Sequence, residues 1–229
     1  MYDADTSSII TSGGIASWAW AEFLLRLNEF AEDVVIVSYN YDLFLERALT
    51  ALGIPYSYGG LGVIDRTSSK IRIYKPHGSI NFVGRNDVAL TPAERPPREI
   101  DYRLAEDLNS RREVRVESEN LNDYWLRYAV IPPAGESSKL SQSWNRTLHE
   151  DLLKEAKAMR PSDLVVACGI SYWHVDRTEL DAIIAQLDPE IRAYMINPAP
   201  SAEFDSVLSS LFQHYTCFSS GAPLLKVKL

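Results

Sequence analysis

The chain has 229 residues, 46% of them hydrophobic and 24% charged, with a formal net charge of −8. That size suits one substantial α/β domain, or such a domain with an insertion. The acidic balance argues against nonspecific nucleic-acid binding, which depends on basic surface, and no apolar run reaches the ~20 residues of a membrane-spanning helix.

Residues 15–32 predict a helix, with Trp18, Ala21, Leu24, Leu25 and Asn28 at helical spacings and no internal Gly or Pro. Trp18 and Trp20 are read as packing residues. A buried-type strand over residues 34–39 runs straight into Asn40 and Asp42. A helix over 42–52 follows, with Asp42 as N-cap or first-turn acid, Gly53 as its stop and Pro55 beyond. Residues 54–58 and 71–75 read as strands, the second ending in Pro76-His77-Gly78-Ser79. The stretch 84–125 is densely charged with both signs and rich in Pro around 92–97. It reads as a solvated inserted loop or small helical excursion.

Regular alternation then resumes, with strands at 127–131, 163–168, 191–196 and 215–218 and helices at 145–159, 176–187 and 202–212. Strands separated by helices of this length predict βαβ units. The expected fold is α/β, a Rossmann-like three-layer arrangement with a mostly parallel sheet, helices on both faces and a charged insertion. Residues 1–229 are read as a single domain. Cys168 and Cys217 lie in apolar runs and are expected to be buried free thiols, neither disulfide-bonded nor part of a zinc site. His149 is expected on a solvated helix face, His214 to pack, and His174 to sit in a packed loop. Met1-Tyr2-Asp3-Ala4-Asp5 has neither a basic n-region nor an apolar h-region, so no signal peptide is expected and the expected location is cytoplasmic.

Four strand ends present polar or small residues: Asn40 with Asp42, His77 with Gly78 and Ser79, Gly169 with Ser171, and Asn197. In open α/β sheets ligands bind at the carboxyl ends of strands. A Gly followed by a hydroxyl lets backbone approach a phosphate or ribose. An Asn can hydrogen-bond ribose hydroxyls, and a His at such an edge can take a proton near neutral pH. Tyr39 and Tyr41 flank Asn40 and are expected to point away from it, as wall or core. No Gly-x-Gly-x-x-Gly follows any strand, which disfavours hydride transfer.

These residues resemble sirtuin-like domains, the prokaryotic relatives of the silent information regulator deacylases. Ser38-Tyr39-Asn40-Tyr41-Asp42, with Leu45-Glu46 after it, is similar to their Thr-Thr-Asn-Tyr-Asp…Leu-Glu signature. Lys75-Pro76-His77-Gly78-Ser79 resembles their Lys-Leu-His-Gly-Ser motif, whose His is catalytic. Cys168-Gly169-Ile170-Ser171, with Asp176 after it, is similar to a nucleotide-contacting turn, and Ile196-Asn197-Pro198 to a strand end near the adenosine ribose. The resemblance implies NAD as substrate. Asn40, His77 and Asp42 would then be catalytic, and Gly78, Ser79, Gly169, Ser171 and Asn197 would bind the nucleotide. Two departures stand out. Only 33 residues precede Val34, and the one Gly pair among them, Gly13-Gly14, follows no clear strand. The family's Gly-Ala-Gly-x-Ser phosphate loop is therefore expected to be missing, the chain being a fragment or its phosphate site lost. The four-cysteine zinc ribbon of deacylases is absent too, so no zinc is expected. That absence favours the branch resembling NAD hydrolases of bacterial antiviral systems. A catalytically silent nucleotide-sensing or scaffold module and an unrelated α/β fold are the alternatives. A homo-oligomer, or a fused or associated sensor protein, is the expected kind of assembly.

Overall fold

Eleven strands and six helices organise the residues described by the computed structural model, which are 14–61, 69–87, 89–90, 108, 110–131, 143–170, 172 and 177–226. In chain order these are α1 (Gly14–Ser17), α2 (Ala19–Phe30), β1 (Val34–Val37), α3 (Phe44–Ala51), β2 (Tyr56–Tyr58), β3 (Ile71–Tyr74), β4 (Gly78–Gly84), β5 (Ala89–Leu90), β6 (Val114–Val116), β7 (Tyr124–Trp125), β8 (Tyr128–Val130), α4 (Ser143–Ala158), β9 (Leu164–Cys168), α5 (Arg177–Ile184), β10 (Arg192–Ile196), α6 (Ala202–Leu211) and β11 (His214–Phe218). The chain divides into two compact units, residues 33–152 and residues 1–32 with 153–229.

Within the first unit, β1, β3 and β2 form a parallel sheet in that order. β1 (Val-Val-Ile-Val) is a continuous β-branched run, and β3 (Ile-Arg-Ile-Tyr) interleaves two buried Ile with Arg72 and Tyr74; Val, Ile and Tyr are residue types that favour strand. Helix α3 leaves β1 through Leu43 and ends in a left-handed glycine. Gly53 has φ +68° and donates to the Thr50 carbonyl, while Ile54 donates to that of Leu49. This Schellman closure satisfies the last carbonyls and releases the chain towards Pro55. Leu148 of α4 lies against Gly60, where a Cβ would crowd the helix backbone.

An antiparallel sheet in the order β6–β4–β8 belongs to the same unit, with β5 paired to β7. It revises two expectations. His77-Gly78-Ser79 does not close a strand but turns directly into β4. Pro76 and Gly78 make a tight turn in which Gly78 donates to the Lys75 carbonyl. Residues 127–131, read as part of the parallel alternation, supply β8, antiparallel to β4.

In the second unit β11, β10 and β9 form a parallel sheet in that order, with Arg192 opposite both His214 and Leu164. Phe23 of α2 packs with Ile196, and Trp20, Leu27, Leu164, Val166, Tyr194 and Phe218 surround them. Helix α6 starts at Ser201, whose hydroxyl accepts from the Phe204 amide, and it buries Phe204 and Leu208. Cys168 and Cys217 are exposed free thiols rather than buried ones. Each lies near the end of a strand at the margin of this sheet, where cover is thin. His214 is likewise exposed rather than packed, and His149 is half-buried. His174 lies outside the described residues. No helix among them is long and apolar enough to cross a membrane. The whole is α/β with mostly parallel sheets, as expected.

Candidate functional site

Register brings two of the polar segments together. Val37 of β1 is paired with Tyr74 of β3, and Ser38 extends the ladder by donating to the Tyr74 carbonyl. Asn40 and His77 therefore stand three residues beyond the same paired step. Parallel pairing sends both chains off the same sheet edge.

His77 is 9% exposed. Tyr39 meets its ring edge-on at 5.1 Å between centroids, and Tyr41 lies roughly parallel to it at 6.4 Å. The strand ends at Val37, so strict side-chain alternation no longer governs residues 38–42. Both tyrosines are wall residues, as expected, but the wall they form is around the imidazole. Tyr41 is fixed by donating its hydroxyl to the Ile131 carbonyl, and Ile131 in turn donates to the His77 carbonyl. Asn40, between the two tyrosines, is exposed. One Asp42 oxygen accepts from the Phe44 amide at 2.9 Å, which closes an Asx turn at the start of α3. Asp42 is therefore neither the N-cap nor the first-turn acid it was expected to be: Leu43 holds the cap position, Glu46 is the acid of the first turn, and the helix starts later than the sequence pattern indicates.

Gly78 and Ser79 are taken up by the fold. Gly78 has φ +83°, and a Cβ there would overlap the Ala129 carbonyl oxygen. The Ser79 hydroxyl is fully buried, donates to the Tyr41 carbonyl at 3.2 Å and accepts from Lys75 at 3.1 Å.

Sequence reasoning missed the group that joins these segments. Lys75 is 1% exposed, and its ammonium faces Glu46 Oε1 at 2.8 Å, the Asp42 carbonyl and the Ser79 hydroxyl. Glu46 is 3% exposed and also accepts from the Tyr58 hydroxyl at 3.1 Å, which accepts from the Asn81 amide. Burial, followed by the Glu46 charge, pushes the Tyr58 phenol far above its ordinary range, so it stays a donor. The available signal was a Lys directly after strand β3 and a Glu on the first turn of the helix that precedes it, α3.

The remaining candidates lie in the second unit. Gly169 has φ +61°, and a Cβ there would meet nothing within 4 Å. Asn197 donates from its side-chain amide to the Ile170 carbonyl at 3.4 Å and accepts from the Ala199 amide, so its side chain ties the end of β10 to the end of β9. The structure brings Gly169 and Asn197 to neighbouring strand ends; Ser171 lies outside the described residues. No group of His, Cys, Asp and Glu that could hold a metal ion occurs among the described residues.

A family model described as a SIR2-like domain matches residues 34–215, well over half of the chain. No curated protein matches it.

Proposed function

Because the chain belongs to the SIR2-like family, whose members are NAD-related, we propose that it binds NAD and hydrolyses the bond between nicotinamide and ribose. The observation that carries the reading is the shared step of the β1–β3 ladder, which delivers the Asn40–Asp42 loop and the His77 turn off one sheet edge.

In this reaction the bond from C1′ of the ribose to the nicotinamide nitrogen breaks. The electron pair goes to the ring, which leaves neutral. The sugar passes through an oxocarbenium-like state, and a water oxygen bonds to C1′ while its proton departs. Because the leaving group loses its charge on departure, little acid assistance is needed. His77 is assigned the base, towards the water or a ribose hydroxyl, for about 10²–10⁴ in rate. Asn40, exposed on the loop after β1, is assigned the orientation of the ribose or the water. The Asp42 oxygen not engaged by Phe44 is assigned to the positive charge developing on the sugar. Gly169, Ser171 and Asn197 are assigned to the adenosine half. Gly78 and Ser79 shape the turn that carries His77. Membership of a bacterial antiviral system, a cytoplasmic location and assembly with itself or with a sensor protein belong to the same proposal.

One observation favours a second reading, a silent nucleotide sensor: the imidazole is flanked by the rings of Tyr39 and Tyr41. Incubating the purified chain with NAD and measuring free nicotinamide separates the two readings. Turnover lost in both Asn40→Ala and His77→Ala supports the hydrolase. Binding without turnover in the parent chain supports the sensor.

A further inference from the structure

The buried ammonium of Lys75 links three segments through a single group. It reaches the loop after β1 through the Asp42 carbonyl, helix α3 through Glu46 and the first turn of β4 through Ser79. Two further bonds converge on the same loop. The Ser79 hydroxyl and the Ile80 amide both donate to the Tyr41 carbonyl, at 3.2 and 3.0 Å. The Asn40–Asp42 loop is therefore anchored by its Tyr41 and Asp42 carbonyls, while the Asn40 side chain is left in solvent.

An arrangement of this kind is costly to maintain for stability alone. Two charges, 1% and 4% exposed at their side chains, have been taken out of water, and an apolar pair of similar volume often holds a fold as well or better. What an apolar pair cannot do is hold a backbone carbonyl in a fixed direction. We propose that Lys75, neutralised by Glu46, is a positioning residue for the hydrolysis proposed above. It acts by fixing the Tyr41–Asp42 backbone, and hence Asn40, relative to His77. The inference rests on that functional reading.

The test is the double substitution Lys75→Met with Glu46→Leu, which strands no charge. In a parent chain that hydrolyses NAD, the expected result is a retained melting temperature, a KM for NAD within about threefold, and a kcat lower by about 100-fold, the scale of a misplacement of about 1 Å. A merely structural pair predicts kcat unchanged once the fold is retained. A kcat within threefold of the parent overturns the inference and leaves the hydrolase reading standing. If the double variant does not fold, Ser79→Ala takes its place, since it removes one acceptor of the ammonium and one bond to Tyr41. A kcat about tenfold lower supports the inference, and an unchanged kcat overturns it. A parent chain without turnover defeats the hydrolase reading instead. The clasp is then read by hydrogen exchange at the Ile80 amide of the double variant. Exchange at least tenfold faster there, with Ile73 unaltered, supports control of the loop by Lys75, and equal exchange overturns it.

Discussion

Tyr39 sets its ring edge-on against the imidazole of His77 at 5.1 Å, while its chain neighbour Asn40 stands in solvent. The imidazole assigned as base is thus walled by aromatic surface, and the amide assigned to orient the substrate is not spent on holding the fold. Stability and turnover should separate at these positions. Asn40→Ala should leave unfolding in urea within about 0.5 kcal/mol of the parent, as for other exposed positions, while NAD loss falls by about 100-fold or more. His77→Gln should cost more stability, because it removes the imidazole from between Tyr39 and Tyr41, and should abolish turnover equally. Equal turnover in the Asn40 variant and the parent would remove Asn40 from the site.

Two glycines should respond differently to the same substitution. Gly78→Ala meets both a positive φ and the carbonyl of Ala129. Backbone has to move in a turn closed by the Gly78–Lys75 bond, and a loss of about 3 kcal/mol or more is expected, with little folded protein recovered. Gly169→Ala has open space around the new methyl. It should cost only the penalty of a left-handed residue, about 1–2 kcal/mol. If backbone at Gly169 approaches the nucleotide, NAD affinity should fall in that variant well beyond the stability change. Titration of the folded variant with NAD checks this.

The parallel strands and their helices were legible because each announces itself locally. Val34 to Val37 is a continuous β-branched run, Gly53 and Pro55 stop the helix before them, and Ser201 starts the last one. The antiparallel sheet was not legible, because its pairings are distant in sequence. Phe82 pairs with Val116, and the charges between them mask a short alternating strand as solvated chain. The polar residues of the candidate site were visible one at a time. What joins them was not, because a Lys and a Glu each read as surface residues by default. Only the fold reveals Lys75 and Glu46 as a buried pair.

The two cysteines give a simple chemical check. Cys168 and Cys217 are exposed, so both should react with a maleimide under native conditions, without denaturant. Partial shielding pushes the Cys168 thiol above its ordinary value, which lowers its thiolate fraction and should slow its labelling at neutral pH. Mass spectrometry of timed aliquots reads both rates. Labelling that appears only in urea would return the thiols to the core.

Glu117 should make stability depend on acidity. Burial alone would raise its carboxyl, but the backbone N–H groups of Glu119 and Asn120 and the Arg115 guanidinium outweigh burial and hold it below its ordinary value. Its carboxylate accepts from both amides, at 3.0 and 3.1 Å, and so closes the turn after β6. A group lowered on folding contributes its stability above the unfolded value, and that contribution disappears as pH falls through the folded one. Glu117→Gln should therefore cost about 1 kcal/mol at neutral pH, the scale of a lost side-chain cap on backbone amides. The difference from the parent should shrink towards zero as the buffer is taken below the ordinary carboxylate range. Urea unfolding of both proteins across that range measures it. A difference near zero at every pH would mean that the amide caps the turn as well as the carboxylate, and that charge plays no part there.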